Sequence, residues 1–258
     1  MHGTTGIRRP ASVGATTLTT VQTAAPATAA HGVVEGLLVD AVRRAGPAAR
    51  VLDCGGGTGR FAVPLAEAGA TVTVVDVSAD ALATLRRRAV EAGVAERVRP
   101  VQGDVESLRD VVDANAFDLV LAHGILEVVD PLTSAFDGIV ATVRPGGLLS
   151  VLVANPAAAV LARAIAGDLE AAERELVDLD RVSARITIET VRRLCAEHGL
   201  RVEAIHGVGV FRDLVHGQEL DAPGARETLA RLEAACAQRS PFTEIATRVH
   251  VLARRPEG

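Results

Sequence analysis

Two hydrophobic periods alternate along the chain. From Val33 to Arg44 apolar residues recur at three- and four-residue spacing, as on a helix with one buried face, and the pattern stops at Gly46-Pro47. Beyond it, short runs rich in Val, Leu and Ile take turns with helical stretches. The runs predict strands at Arg50–Cys54, Thr71–Asp76, Val98–Gln102, Phe117–Ala122, Leu148–Val153, Arg201–Val208 and Thr247–Ala253. Helices are predicted from about Gly59 to Ala68, from an N-cap at Ser78 to about Ala92, and near Ile188–His198 before Gly199. Arg144-Pro145-Gly146-Gly147 reads as a structural turn. Apolar strands separated by helices predict an α/β fold with a Rossmann-like, seven-stranded, mostly parallel sheet covered on both faces. Two helical stretches break the rhythm, Pro156–Arg185 and Arg212–Ser240. Both leave the later half of the sheet, so lid insertions near 156–185 and 212–240 are expected in a domain spanning 32–256.

The first strand runs into Asp53-Cys54-Gly55-Gly56-Gly57-Thr58-Gly59, a turn where backbone can approach a ligand closely. A dinucleotide fingerprint beginning at Gly55 would need its third glycine at Arg60. Gly55-x-Gly57-x-Gly59 after Asp53 instead suits S-adenosylmethionine, which has no pyrophosphate and carries an ammonium that a carboxylate can balance. Ligands of open parallel sheets bind beyond the strand carboxyl ends. Asp53, Asp76, Asp104 and His123 stand at or just after four successive strand ends. Asp76, 21 residues beyond Gly55, suits a carboxylate on both ribose hydroxyls, as in nicotinamide enzymes too. Asp104 is a candidate for the adenine amino group, with Val105 packed on the ring and its amide on a ring nitrogen. The expected cofactor set is therefore Asp53, Gly55, Gly56, Gly57, Gly59, Asp76, Val77, Asp104, Val105 and His123. His123 and Glu127 lack further ligands of a metal site, and no metal is expected.

Composition narrows the partners. Apolar residues make up 48% of the 258 residues and aromatics 2%, with no Trp or Tyr, so the core is aliphatic. There is no lysine, and every fixed cationic side chain is an arginine. A net charge of −5 supplies no global field for nucleic acid. The widely spaced Cys54, Cys195 and Cys236 suggest reduced thiols and a cytoplasmic protein. Residues 1–31 are expected to be a disordered Ala/Thr-rich tail; 10–30 carry no charge and are too polar for a standard export signal, although Arg8-Arg9 precede them. No apolar run is long enough to span a bilayer.

With these residues in view, the chain resembles a class I S-adenosylmethionine-dependent methyltransferase. More narrowly, from about Val33 to Pro256, it is similar to the bacterial tRNA 5-carboxymethoxyuridine methyltransferase family, which esterifies a wobble-base carboxylate. Val51 to Gly57, His123-Gly124-Ile125-Leu126-Glu127, Asn155, Ala166-Gly167-Asp168, Gly207 to Asp213, and Pro241 with His250 to Pro256 carry that resemblance. It implies cofactor contacts at Gly55, Gly56, Asp76, His123 and near Asp104-Val105. The chain departs from the family where a basic residue precedes the first helix, and Val128 and Ala154 replace aromatic residues. Without Tyr or Trp, stacking of a base on either is impossible.

Methyl transfer to a carboxylate needs alignment and a cation; it needs no general base. Arg212, with Asp213 and Asn155 beside it, is the candidate for orienting the acceptor. For a hydroxyl or amine acceptor, His123 is the candidate to take a proton. The acceptor remains open between tRNA and a small-molecule acid. Two other classes stay in play: a nicotinamide-type oxidoreductase and a non-catalytic S-adenosylmethionine-binding module.

Overall fold

The computed structural model describes residues 32–179, 186–212, 214–215 and 217–257. The tail expected at 1–31 lies outside them. Helix α1 (Val33–Ala45) stops at Gly46, whose φ of 94° is open to glycine and poor for other residues. Then come β1 (Arg50–Cys54), α2 (Ala62–Glu67), β2 (Thr71–Asp76) and α3 (Ala79–Glu91). Ser78 caps α3 by accepting from the Ala81 amide. Next are β3 (Val98–Gln102), the single turn α4 (Leu108–Val111), β4 (Phe117–His123), α5 (Leu132–Thr142) and β5 (Val143–Ala154). The later half holds α6 (Pro156–Ile165), α7 (Leu169–Leu179), α8 (Ile188–Glu197), β6 (Arg201–Val208), α9 (Ala225–Cys236), α10 (Phe242–Ile245) and β7 (Arg248–Arg254).

The seven strands lie in the order β3-β2-β1-β4-β5-β7-β6. Strands β1 to β5 pair in parallel, whereas β7 runs antiparallel to both β5 and β6. The expected Rossmann-like, mostly parallel sheet is therefore the fold. Leu38, Leu65, Leu82 and Leu85 from α1, α2 and α3 fill one face. Leu108, Phe136, Ile139, Val191 and Leu194 from α4, α5 and α8 fill the other.

Three local features differ from the pattern-based reading. The helix expected from Gly59 begins at Ala62, because Gly59 takes a φ of 80° and donates back to the Gly56 carbonyl at 3.0 Å. Arg144 to Gly147 form no free turn: they bulge within β5, whose pairing jumps from Phe117–Val143 to Leu119–Leu148. Hydrogen bonds between Gly146, Gly147 and Arg255 hold the bulge to the chain end. Helix α5 fills a stretch that showed no helical stripe. Ala135, Phe136, Gly138, Ile139, Val140 and Thr142 are all buried, so the apolar surface wraps most of its circumference.

This topology collects the carboxyl ends of β1 to β5 on one edge. Because β7 is reversed, its first residue joins them: Arg248 pairs with Ala154 and Val208, the last residues of β5 and β6. Arg254 is left at the opposite edge, paired with Leu148.

Candidate functional site

The glycine turn is built on Asp53. Gly55 donates to the Val75 carbonyl at 2.8 Å and tethers the turn to β2. A Cβ on Gly56 would stand 2.4 Å from the Asp53 carboxyl carbon, so only glycine fits there. Asp53 is 2% exposed, and its Oδ2 has no hydrogen-bond partner among the described residues. Burial, and secondarily the charge of Asp76, pushes its pKa from 3.8 up to about 7. Such a group is costly unless a cationic donor meets it.

Asp76 braces two backbone segments. Its Oδ2 accepts from the Gly57 amide and its Oδ1 from the Ser78 amide, each at 2.8 Å. Each carboxylate oxygen accepts a second hydrogen bond readily, so ribose hydroxyls retain acceptors here. Next to it, Val77 is 63% exposed, an apolar surface beside the strand end. Asp104 is exposed and accepts from the Glu106 amide at 2.9 Å. The expected packing of the Val105 side chain on adenine is corrected, since that side chain is 4% exposed and belongs to the core with Leu108. Only the backbone of Val105 remains for a ligand.

His123, at the end of β4, meets the edge of Phe61 with ring centroids 4.6 Å apart. Its Nε2 lies 2.8 Å from the Ser150 hydroxyl, while Nδ1 is buried without a partner among the described residues. Burial, then the charges of Arg248 and Arg60, lowers its pKa from 6.5 to about 3. A neutral imidazole of such low basicity is a poor proton acceptor in the ligand-free protein. Glu127 instead accepts from the Ala154 amide at 2.9 Å. Among the described residues, no three His, Cys, Asp or Glu side chains form a metal-binding group.

The residues expected to meet the acceptor fare differently. Asn155 is committed to structure: Oδ1 caps α6 through the Ala157 amide, and Nδ2 donates to the carbonyls of Glu244 and Ala246 at 2.8 Å each. Its substrate role is corrected for that reason. Arg212 is exposed on the loop after β6, and Asp213 lies outside the described residues. A buried glutamate fixes that loop. Both carboxylate oxygens of Glu233, on α9, accept from the Val210, Phe211 and Arg212 amides at 2.8–3.0 Å. Sequence pattern alone missed Glu233, Arg60 and Arg248. Arg60 was legible only as a missing glycine, and Arg248 gains its place from the reversal of β7.

Residues 51–147, the turn and the sheet edge just described, match a family described as a methyltransferase domain. The chain is 26% identical over 218 residues to the tRNA 5-carboxymethoxyuridine methyltransferase of Escherichia coli K12, covering 81% of each protein. It is 36% identical over 118 residues to a ubiquinone biosynthesis O-methyltransferase of Methylocella silvestris, covering 46% of this chain and 44% of that one. A geranyl diphosphate methyltransferase solved with S-adenosylmethionine superposes with a TM-score of 0.57 at 16% identity, over 86% of this chain and 84% of that one. The protein is an S-adenosylmethionine-dependent methyltransferase. The oxidoreductase alternative is not favoured, in keeping with Arg60 in place of a third glycine.

Proposed function

We propose that the chain transfers a methyl group to a carboxylate, with the cofactor across the edge formed by β1, β2 and β4. The residues fit that cofactor: the unpartnered Asp53 Oδ2 beneath Gly56 suits an ammonium, and Asp76 suits a ribose. Gly55, Gly57 and Gly59 keep the turn free of side chains, Val77 flanks the adenine, and Asp104 and the Val105 amide meet its polar edge. When bound, S-adenosylmethionine supplies a methyl group activated by its sulfonium. The protein aligns the acceptor, holds its charge and excludes water.

The observation that carries the carboxylate reading is the pair of arginines beside a neutral histidine. The charges of Arg248 and Arg60 both bear on His123. An anionic acceptor at His123 would meet two cations. Arg212, held at its backbone by Glu233, adds a third from the lid side. Helices α6, α7 and α9 form the proposed lid, and Ile165, Leu169, Leu176 and Val177 on α6–α7 stay exposed although apolar. We place this activity in the cytoplasm, where the cosubstrate is made.

The name of the E. coli relative suggests a carboxymethoxyuridine in tRNA as acceptor. A net charge of −5 and the absence of Trp and Tyr favour a small-molecule acid. Thermal shifts with S-adenosylmethionine, S-adenosylhomocysteine and NAD test the cofactor: the first two should stabilise the protein and NAD should not. Nucleoside mass spectrometry of a deletion strain tests the tRNA acceptor. Loss of the wobble methyl ester supports it, and an unchanged profile with methyl transfer to an organic acid selects the alternative.

A further inference from the structure

A file of polar side chains crosses four strands from His123 to the far side of the sheet. The His123 Nε2 is 2.8 Å from Ser150 Oγ on β5, and the same hydroxyl is 2.8 Å from His250 Nε2 on β7. His250 Nδ1 lies 3.2 Å from His206 Nδ1 on β6, and His206 Nε2 lies 3.0 Å from the Gln238 Nε2. His250 and Ser150 are fully buried, and His206 is 5% exposed. Burial lowers the basicity of all three imidazoles, so each carries one ring proton near neutrality.

With one proton per ring, the hydrogen bonds run in a single direction. The Gln238 amide N–H donates to His206 Nε2, which must therefore be bare. His206 then donates from Nδ1 to His250 Nδ1, and His250 donates from Nε2 to Ser150. The serine has one hydroxyl proton, and it goes to His123 Nε2. The ring proton of His123 is left on Nδ1, the buried atom without a partner.

We propose that Gln238, His206, His250 and Ser150 are positioning residues that hold His123 as its Nδ1–H tautomer, so that it meets the acceptor as a hydrogen-bond donor. That inference rests on the reading of an anionic acceptor at His123. An N–H there complements a carboxylate oxygen, whereas a bare nitrogen would repel it. Substrate class is thus selected by a side chain just beyond α9, acting through three strands. No proton moves during transfer; the file sets orientation only.

Histidine nitrogen NMR on the uniformly labelled full chain, without ligand, reads the tautomers directly. The expected result is Nδ1–H at His123, Nε2–H at His250 and Nδ1–H at His206. An Nε2–H tautomer at His123 overturns the proposal. In Ser150→Ala, a nearly isosteric change, His123 should shift toward Nε2–H, the acceptor KM should rise about tenfold, and S-adenosylhomocysteine affinity should hold. Gln238→Leu, at an exposed position, should give His123 a second set of signals; an unchanged His123 in both variants also refutes the relay. Correct tautomers in a chain that fails to bind S-adenosylhomocysteine would count against the cofactor site and leave the relay standing.

Discussion

Asp53 concentrates the cost of the site in one side chain. Its folded pKa of about 7 exceeds the ordinary 3.8, so folding favours the protonated form. The associated stability is complete below about pH 4 and is lost as the pH rises to about 7. At pH 8 the ionised carboxylate costs the ligand-free protein on the order of 4 kcal/mol. Asp53→Asn, neutral throughout, should abolish that fall in denaturant unfolding at each pH; a curve parallel to the wild type would remove Asp53 as its source. The same variant should bind S-adenosylhomocysteine more weakly, since the ammonium loses its counter-charge. Gly56→Ala tests the turn, because its methyl group would press on the Asp53 carboxyl at 2.4 Å. Calorimetric titration should show at least a tenfold loss of S-adenosylhomocysteine affinity, equivalent to about 1.4 kcal/mol. An alanine that binds as well as glycine would show that the turn can relax.

Among the elements, α9 shows what a helix can do beyond packing. It was legible as part of a helical stretch between the last two strands, without its bounds. In the fold, its buried Glu233 gathers the amides that precede and include Arg212. Glu233→Ala would leave those amides without an acceptor and should cost about 2–4 kcal/mol in urea unfolding. Glu233→Gln should recover part of it, through one amide oxygen. No loss in the alanine variant would mean that water replaces the carboxylate. Other elements show where pattern succeeds and fails. Helix α3 was readable from Ser78 and a clear stripe, and its cap is present. Helix α5 was not, because burial around most of its surface erases the contrast that periodicity needs.

For the whole molecule, the decisive feature is the direction of β7. An antiparallel strand inserted between β5 and β6 sends Arg248 to the site edge and Arg254 away from it. Arg254 there pairs with Glu203, Nε to Oε1 at 2.6 Å. Arg248→Gln should therefore raise the acceptor KM roughly ten- to hundredfold with S-adenosylhomocysteine affinity unchanged. Arg254→Gln should leave KM as it is. Equal effects from the two would remove Arg248 from acceptor binding.

Local order in the chain was enough for the strands, the glycine turn and the carboxylates at the ends of β1 and β2, because each depends on neighbours a few residues away. Their alternation also implied the mostly parallel sheet and the edge where ligands collect. Tertiary structure alone decided which distant groups meet there. Arg248 joins the edge that holds His123 through strand reversal, Asn155 is diverted to α10, and Val105 turns into the core. The file from Gln238 to His123 spans four strands far apart in the chain. Hydrogen bonds of that kind depend on register between strands, and register is set by packing across the sheet rather than by any one segment.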